Sequence, residues 1–421
     1  MYISFKTAGK RLLKRLEPYA KTDLSYFTKS SFWLNLTSIF GAFLSFLLSI
    51  LFAHYVSKDT YGTYRFILSV AGLASAFSLT GMNVAVMRSV AQGFDGIFKR
   101  AMFEQIKWSW PQFLFSFVAG LYYFFYGNTV FGIAFFIVSI LAPISTVSNT
   151  YAAILIGKKD FRTSSWYSIY SNLVYFIGLA SVIIGAPSSV ILMILGYYFL
   201  NTGANVYFCL RTYRKYNQNL STNDYRTEDI TYAKHLSLMN TVSILATQAD
   251  SILVYYLLGP VSLALYSFAT LLPERIRTMF GFIGSAAFPK IAERNFESMR
   301  PTANRKIWQL IILALLISVI YIILAPTFFR WFYPQYQNVV IYSQIFSLSL
   351  VAIATNISLT ALQAHRKQKE LYIISFGVPI AKIALSAAGI FYLGIWGAII
   401  AKMTHHILLL VLSSFYLRKK S

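Results

Sequence analysis

Residues 236–290 decide the fold, and they read LSLMNTVSILATQADSILVYYLLGPVSLALYSFATLLPERIRTMFGFIGSAAFPK. Two apolar stretches, each long enough to cross a bilayer, are joined by the four-residue turn 259–262, Gly-Pro-Val-Ser. The stretch therefore predicts a transmembrane helical hairpin.

Ionisable residues lie inside both helices of this hairpin: Asp250 in the first, and Glu274, Arg275 and Arg277 in the second. At 1.5 Å per residue, Asp250 lies about 21 Å along its helix and Glu274 about 17 Å along the next. Both depths are near the middle of the bilayer, where a charge costs at least about 2.5–3.5 kcal/mol. Each charge is therefore expected to have a partner, a water-filled cavity, or both.

Polar residues of the hairpin recur at steps of three and four, which places them on one face of each helix. Ser, Thr and Gly in such stripes more often mark a helix–helix seam than a cavity. The carboxylates and arginines on the same stripes favour a polar cavity. The stripes consist of Asn240, Ser243, Thr247 and Asp250, then Ser267, Thr270, Glu274, Arg277, Gly281 and Gly284.

The composition predicts an all-α polytopic membrane protein. Of the 421 residues 57% are hydrophobic and only 12% are charged, whereas soluble domains carry about 25% charged residues. The net charge of +23 lies mostly between spans, so topology explains it and nucleic-acid binding is not expected. The single Cys209 excludes an intramolecular disulfide and a Cys-based metal site.

Twelve spans are predicted, in two six-helix bundles. The first bundle covers 31–210 and the second 236–417, and they flank a cytoplasmic linker, 211–235. A basic amphipathic segment, 1–30, precedes them and a basic tail, 418–421, follows. The spans are 31–56, 63–88, 108–126, 129–156, 164–185, 188–210, 236–258, 263–288, 307–329, 338–362, 371–392 and 395–417.

Lysines and arginines alternate between loops, which predicts cytoplasmic termini and a multi-pass protein of the cytoplasmic membrane. On one side the connecting loops hold only Lys58 and Arg330. The other side carries Lys99, Arg100, Lys107, Lys158, Lys159, Arg162, Arg211, Arg214, Lys215, Arg226, Lys234, Arg294, Arg300, Arg305, Lys306, Arg366, Lys367 and Lys369.

The two bundles are related by an internal repeat at a constant offset of 202 residues: Ser49-Ile50-Leu51 matches Ser251-Ile252-Leu253, and Arg88 matches Lys290. Because each half has an even number of spans, the repeats are parallel, with a pseudo-two-fold axis along the membrane normal. Such repeats place the transport site between the halves at mid-depth.

Cations outnumber carboxylates in the predicted membrane interior. Arg275, Arg277, Lys382 and Lys402 face only Asp250 and Glu274. An unpaired cation in low dielectric is strongly disfavoured, so either water fills the site or an anion such as a phosphate visits it. The candidate substrate-binding residues are Arg275, Arg277, Lys382, Lys402, Arg65, Arg88, Asn35 and Asn83.

The charged residues have alternative interpretations. Asp250 and Glu274 are candidates for proton or sodium coupling, but Asp250 could equally be a salt-bridge partner of Lys382 or Arg277. Glu274 and Arg277 are three residues apart and can pair locally, which leaves Arg275 as the cation least satisfied.

His405 and His406 are adjacent in the sequence. Neighbouring helical residues face different directions, so neither a metal nor another cofactor is expected here. One of the two histidines near Lys402 could act as a proton relay.

Several loose motifs, in this order and spacing, resemble the oligosaccharide flippases of the polysaccharide-transport branch of the multidrug/oligosaccharidyl-lipid/polysaccharide exporter superfamily. The motifs are Tyr61-Gly62-Thr63-Tyr64, Thr80-Gly81-Met82-Asn83-Val84-Ala85-Val86-Met87-Arg88, Ala249-Asp250-Ser251-Ile252-Leu253, Leu258-Gly259, Leu265-Tyr266 and Phe288-Pro289-Lys290-Ile291-Ala292.

The resemblance implies that a glycan linked to a polyprenyl diphosphate moves from the inner to the outer leaflet by alternating access. The glycan would serve surface polysaccharide biosynthesis, for example of O-antigen or exopolysaccharide. Lipid II flippases of the same superfamily usually have two additional spans, which counts against that alternative.

Two other functions are alternatives to a flippase. A multidrug or cation antiporter of the same fold calls for a net acidic cavity, and the net positive interior of this chain argues against it. An enzyme is not expected, because the outer loops are too short for a catalytic domain. The expected partners are the lipid-linked glycan and the bilayer; an ion gradient and a monomeric state are both compatible with the sequence.

Overall fold

The computed structural model describes residues 24–216, 225–281, 291, 296–365 and 367–419. The predicted amphipathic segment 1–30 and the motif 288–292 lie largely outside this part of the chain. Within it the chain is helical, and no strand occurs among the described residues.

Twelve successive helical passes, numbered as spans 1 to 12, run through the described residues. They are Leu24–Tyr55; Lys58–Ala74 with Ser75–Phe77 and Met82–Ala91; Ile97–Phe125; Thr129–Ser148 with Thr150–Gly157; Phe161–Gly185; Val190–Tyr216; the two arms of Thr227–Met279; Phe296–Phe332; Pro334–Val339 with Val340–Ser347, Leu348–Ala354 and Thr355–Ala364; Gln368–Tyr372 with Ile373–Gly377 and Val378–Leu393; and Ile395–Arg418.

Spans 7 and 8 form one helical segment that folds back on itself at Gly259. This residue has φ 85° and ψ 175°, a conformation that glycine adopts readily because it has no Cβ. The Tyr266 hydroxyl donates a 3.0 Å hydrogen bond to Asp250 Oδ2, although 16 residues of straight helix would separate the two by about 24 Å. The predicted hairpin and its turn are therefore confirmed.

The number of spans also agrees with the sequence prediction. Nine described helices are long and apolar enough to cross a membrane, or ten if the bent pair in span 2 counts as one. Counting the two arms of Thr227–Met279 separately gives eleven. The twelfth pass is the aromatic helix Ile97–Phe125, which carries polar residues in its first half.

Span 2 is broken, whereas the sequence predicted one continuous helix over 63–88. Its two helices, Lys58–Phe77 and Met82–Ala91, are bent by 54°. At the break the Ser78 hydroxyl donates to Ser75 O at 2.7 Å, and Gly81 N donates to the Ser237 hydroxyl at 2.9 Å. These bonds, one of them to a side chain of span 7, satisfy backbone groups that the interrupted helix leaves free.

The halves of the molecule meet where span 2 runs along spans 7 and 8. Gly62 makes a close approach to the hairpin, because a Cβ there would lie 1.8 Å from the carbonyl oxygen of Pro260. The halves also meet at the distal end, where span 1 contacts Pro334–Val339. Within each half, span 4 contacts spans 3 and 6, and span 9 contacts span 10. This is the two-bundle architecture that the sequence predicted.

The ends of the spans form two faces of the molecule, a terminal face and a distal face. The terminal face is the one where span 1 begins and span 12 ends. The distal face carries the turns that follow odd-numbered spans, including Gly259 and the segment Pro334–Val339.

Candidate substrate cavity

A cavity of about 1690 Å³ lies between the halves, in the part of the molecule nearer the terminal face. Its walls come from spans 1–6 in the first half and from spans 7 and 8 in the second. The residues that line it include Asn35, Ser38, Ser45, Gly72, Asn83, Gln112, Ser145, Asn149, Ser168, Ser171, Asn172, Tyr197, Asn201, Asn205, Gln248, Arg275 and Thr278.

An aromatic seal closes the distal end of the molecule, and it consists of Phe52, Tyr61, Phe268, Tyr333 and Tyr336. The Phe268 ring stacks on Tyr336 with centroids 3.8 Å apart, and it contacts Tyr61 at 5.0 Å. All five side chains are buried. The seal joins the two halves, because Phe52 and Tyr61 belong to the first half and the other three to the second.

Polar bonds across the halves reinforce the distal end. The hydroxyls of Ser49 and Tyr333 are 2.8 Å apart, and Gln335 Nε2 donates to His54 O at 3.3 Å. The cavity is thus closed on the distal side and lies toward the terminal side.

Arg275 lies on the cavity wall, in span 8. Its side chain is exposed, and no ion pair to it occurs among the described residues. The neighbouring carboxylate of Glu274 pairs instead with Arg277, whose Nε and Nη2 donate to Glu274 Oε2 at 2.9 and 2.7 Å. The predicted local pair and the predicted unpaired Arg275 are therefore both found.

Asp250 pairs with Lys382, one of its two predicted partners, at 2.8 Å. The two side chains are only 3% and 6% exposed. Lys382 Nζ also donates to Ala246 O at 2.7 Å, while the hydroxyls of Tyr266 and Ser386 donate to the Asp250 carboxylate at 3.0 and 3.1 Å. The hydrogen bonds satisfy both charges inside the second half.

Glu274 has two further partners in span 12 that the sequence analysis did not assign. Its Oε1 lies 3.0 Å from His406 Nε2 and 3.4 Å from Lys402 Nζ. Lys402 and His406 are four residues apart, so they share a helix face. That spacing was the available signal for a joint contact.

The predicted substrate-binding residues divide into three groups. Arg275, Asn35 and Asn83 line the cavity. Arg277, Lys382 and Lys402 contact the two carboxylates of the second half.

The remaining two candidates, Arg65 and Arg88, lie in span 2 and are not among the described lining residues. The guanidinium of Arg88 lies over the Tyr232 ring, 5.5 Å from its centroid. Arg65 lies toward the distal end of the span and is partly buried.

Sequence analysis missed most of the amide side chains on the cavity wall. Gln112, Asn149, Asn172, Asn201 and Asn205 come from spans 3 to 6. An uncharged amide gives no clear signal against an apolar background, and of the amides on this wall only Asn35 and Asn83 were among the predicted substrate-binding residues.

A family described as polysaccharide biosynthesis protein matches residues 27–295. The chain belongs to the polysaccharide biosynthesis protein family. This match covers the whole first half, the linker and the hairpin of spans 7 and 8, and it agrees with the resemblance given by the motifs. No curated protein sequence matches the chain.

Solved structures show that this family member has the fold of the MOP superfamily. An inward-facing multidrug resistance MATE family transporter superposes with a TM-score of 0.65 at 12% identity, covering 90% of this chain and 94% of its own. The inward closed conformation of the lipid II flippase MurJ gives a TM-score of 0.63 at 17% identity, covering 91% and 87%.

A third solved structure also superposes on the chain. It is a MOP superfamily transporter from Pyrococcus furiosus, with a binding pocket of reverse polarity, and it gives a TM-score of 0.58 at 14% identity, covering 93% and 95%. These neighbours are transporters and a flippase rather than enzymes.

Proposed function

We propose that the protein is a flippase that moves a polyprenyl-diphosphate-linked oligosaccharide from the inner to the outer leaflet of the cytoplasmic membrane. The family membership and the transporter fold support movement of a polysaccharide precursor. The glycan would serve a surface polysaccharide such as O-antigen or exopolysaccharide.

The observation that carries this proposal is the position of Arg275. It is the one charged residue among the described residues that line the cavity, while both intramembrane carboxylates are occupied by other cations. An arginine exposed to a cavity can bind a diphosphate by paired hydrogen bonds. A lipophilic cation would instead be repelled, which argues against the multidrug antiporter alternative.

The arrangement of cavity and seal supports alternating access. The alternation of basic loops supports a cytoplasmic terminal face, in which case the cavity would take its substrate from the inner leaflet. Opening the aromatic seal and closing the terminal side would then release the glycan outward.

We also propose that the second half couples transport to an ion. The candidate carboxylates are the two given by the sequence, Asp250 and Glu274. Glu274 contacts Arg277, Lys402 and His406, and its side chain is 22% exposed, against 3% for Asp250. A proton or a sodium ion that reached Glu274 would compete with these partners, so Glu274 is the better candidate for the coupling carboxylate.

The test is to replace Arg275 in a strain that lacks its own flippase and to measure surface glycan at matched membrane protein levels. Arg275→Ala should leave a folded, inserted protein that no longer supports export. Arg275→Lys should retain part of the activity, because lysine keeps the charge but loses the planar fork.

The matched control is Arg330→Ala, an exposed arginine at the end of span 9 outside the cavity lining, which should export normally. Normal surface glycan with Arg275→Ala would refute the anionic-substrate site and would transfer support to the antiporter alternative.

A further inference from the structure

The cavity wall of the first half is rich in amides and carries no acidic or basic side chain among its described residues. The amides that it contributes are Asn35, Asn83, Gln112, Asn149, Asn172, Asn201 and Asn205. Gln248 of span 7 adjoins them. We call these eight side chains the amide wall.

Amides match the chemistry of sugar hydroxyls. An amide side chain offers both a donor and an acceptor, and each sugar hydroxyl can likewise donate and accept. Serine hydroxyls interleave with the amides on the same wall, for example Ser145, Ser168 and Ser171. A surface of this kind can bind many hydroxyls without any charge.

One side chain of the amide wall is buried with an unused acceptor. Gln112 is only 2% exposed, it lines the cavity, and its Oε1 has no hydrogen-bond partner among the described residues. Oδ1 of Asn83, a half-buried residue of the same wall, likewise has no hydrogen-bond partner among the described residues. A buried acceptor without a donor is disfavoured, so a ligand hydroxyl that donates to it would restore the lost interaction.

Other members of the wall are held in place by the fold. Asn205 Nδ2 donates to Ser145 Oγ at 3.1 Å and to Asn201 Oδ1 at 3.0 Å. Gln248 lies against Gly72, where a Cβ would come 2.6 Å from Gln248 Nε2. These contacts fix amide groups before any ligand binds, which lowers the entropic cost of binding.

We infer that the glycan carried by the lipid is uncharged and that the amide wall binds it, while Arg275 binds the diphosphate. A uronic acid on the glycan would place a carboxylate against a wall that offers it no counter-charge, and an unpaired charge out of water is costly. This inference rests on the proposed function, because it assigns the sugar part of the same substrate.

The first test needs no substitution. Binding to the purified full-length protein is compared, by native mass spectrometry, for three lipids of one polyprenyl length. They are the bare diphosphate, the diphosphate with a neutral hexose trisaccharide, and the same trisaccharide ending in a hexuronic acid. The neutral glycan should bind at least tenfold more tightly than the bare diphosphate, and the hexuronic acid glycan should lose most of that gain.

The second test uses matched amide variants. Gln112→Met removes the amide at similar side-chain length, and it should weaken binding of the neutral glycan about three- to tenfold while leaving the bare diphosphate unchanged. The control is Gln344→Met, because Gln344 donates to Ile322 O in the second half and is not among the described lining residues. It should change neither affinity. Arg275→Ala should weaken binding of all three lipids.

The outcomes separate this inference from the proposed function. If the neutral glycan binds no better than the bare diphosphate, or the hexuronic acid glycan binds as well as the neutral one, the uncharged-glycan inference is overturned. The proposed function survives that result if Arg275→Ala still weakens the bare diphosphate. If the bare diphosphate binds equally well without Arg275, the proposed function itself fails, whatever the glycans do.

Discussion

The two intramembrane carboxylates have different surroundings. Asp250 is bound by one cation and two hydroxyls in a nearly closed site, and Glu274 is bound by three nitrogen-bearing side chains in a site that is partly exposed. A fully satisfied and closed pair is suited to holding helices together. We therefore expect Asp250 to contribute mainly to stability.

The Asp250–Lys382 pair provides a stability prediction. Asp250→Asn should leave the Lys382 ammonium buried without a counter-charge, which costs roughly 3–5 kcal/mol. The yield of folded protein in the membrane, measured by fluorescence-detected size exclusion, should fall accordingly. The double variant Asp250→Asn with Lys382→Met should recover much of the yield, since it removes the orphaned charge as well.

The control for this prediction is Asp95→Asn, which breaks the more exposed ion pair with Lys158 and should cost at most about 1 kcal/mol. A double variant no more abundant than Asp250→Asn alone would show that the two charges do not depend on each other.

Charged residues of the site could be found from the sequence, and uncharged ones mostly could not. Because burial of a charge is so costly, the sequence predicts partners for Asp250 and Glu274. Helix spacing identifies Arg277 as a partner of Glu274. The contact from Lys402 and His406 to Glu274 depends on how span 12 packs on span 8, which one sequence does not specify. Whether the amides of spans 3 to 6 line the cavity depends likewise on which helix faces point toward it.

At the scale of elements, the contact between span 2 and the hairpin of spans 7 and 8 joins the halves. Phe66 stacks on Tyr255 with centroids 4.0 Å apart, and the Thr241 hydroxyl donates to Ala76 O at 3.1 Å. The close approach at Gly62 belongs to the same contact. The broken helix of span 2 follows the hairpin along its length.

Gly62→Ala should destabilise this contact, because the added Cβ would overlap the backbone carbonyl of Pro260 rather than a flexible side chain. Overpacking of this kind costs about 1–3 kcal/mol, so the thermal unfolding temperature of the purified protein should fall.

Gly203→Ala is the matched control: Gly203 is a helical glycine with nothing within 4 Å of the added Cβ. It should be neutral or slightly stabilising, since alanine favours the helix. Equal unfolding temperatures for the two variants would mean that the halves can separate at Gly62 without cost.

The helices themselves were largely predictable, because apolar runs of this length are typical of transmembrane helices. The break in span 2 was not predicted. The break lies between Phe77 and Met82, inside the predicted span 63–88, and the Ser237 hydroxyl that accepts a hydrogen bond from Gly81 N there belongs to a residue 156 positions away.

For the whole molecule, the alternation of basic loops predicts which face lies in the cytoplasm. With Cys209 replaced by alanine, cysteines placed at Lys158 and Arg214 on the terminal face should resist an impermeant thiol reagent added to intact cells. A cysteine at Ser188, on the distal face, should react. Permeabilised cells should label all three positions, which controls for reactivity. Labelling at position 214 from outside intact cells would overturn the orientation and, with it, the direction of transport.

Alternating access requires that the distal end open during each cycle. Gln335 of the second half reaches the backbone of His54 in the first, and both residues are exposed on the distal face. In a protein without Cys209, cysteines at 54 and 335 should form a disulfide under mild oxidation and hold the halves together there. Because the seal could then no longer open, transfer of a fluorescent polyprenyl-diphosphate glycan across proteoliposomes should stop, and a reductant should restore it.

The controls are each single cysteine and the pair Asp95→Cys with Lys158→Cys, which links two positions within the first half. All of them should transport normally in oxidant. Undiminished transfer by the oxidised 54–335 pair would mean that the substrate crosses without separation of the halves at the aromatic seal.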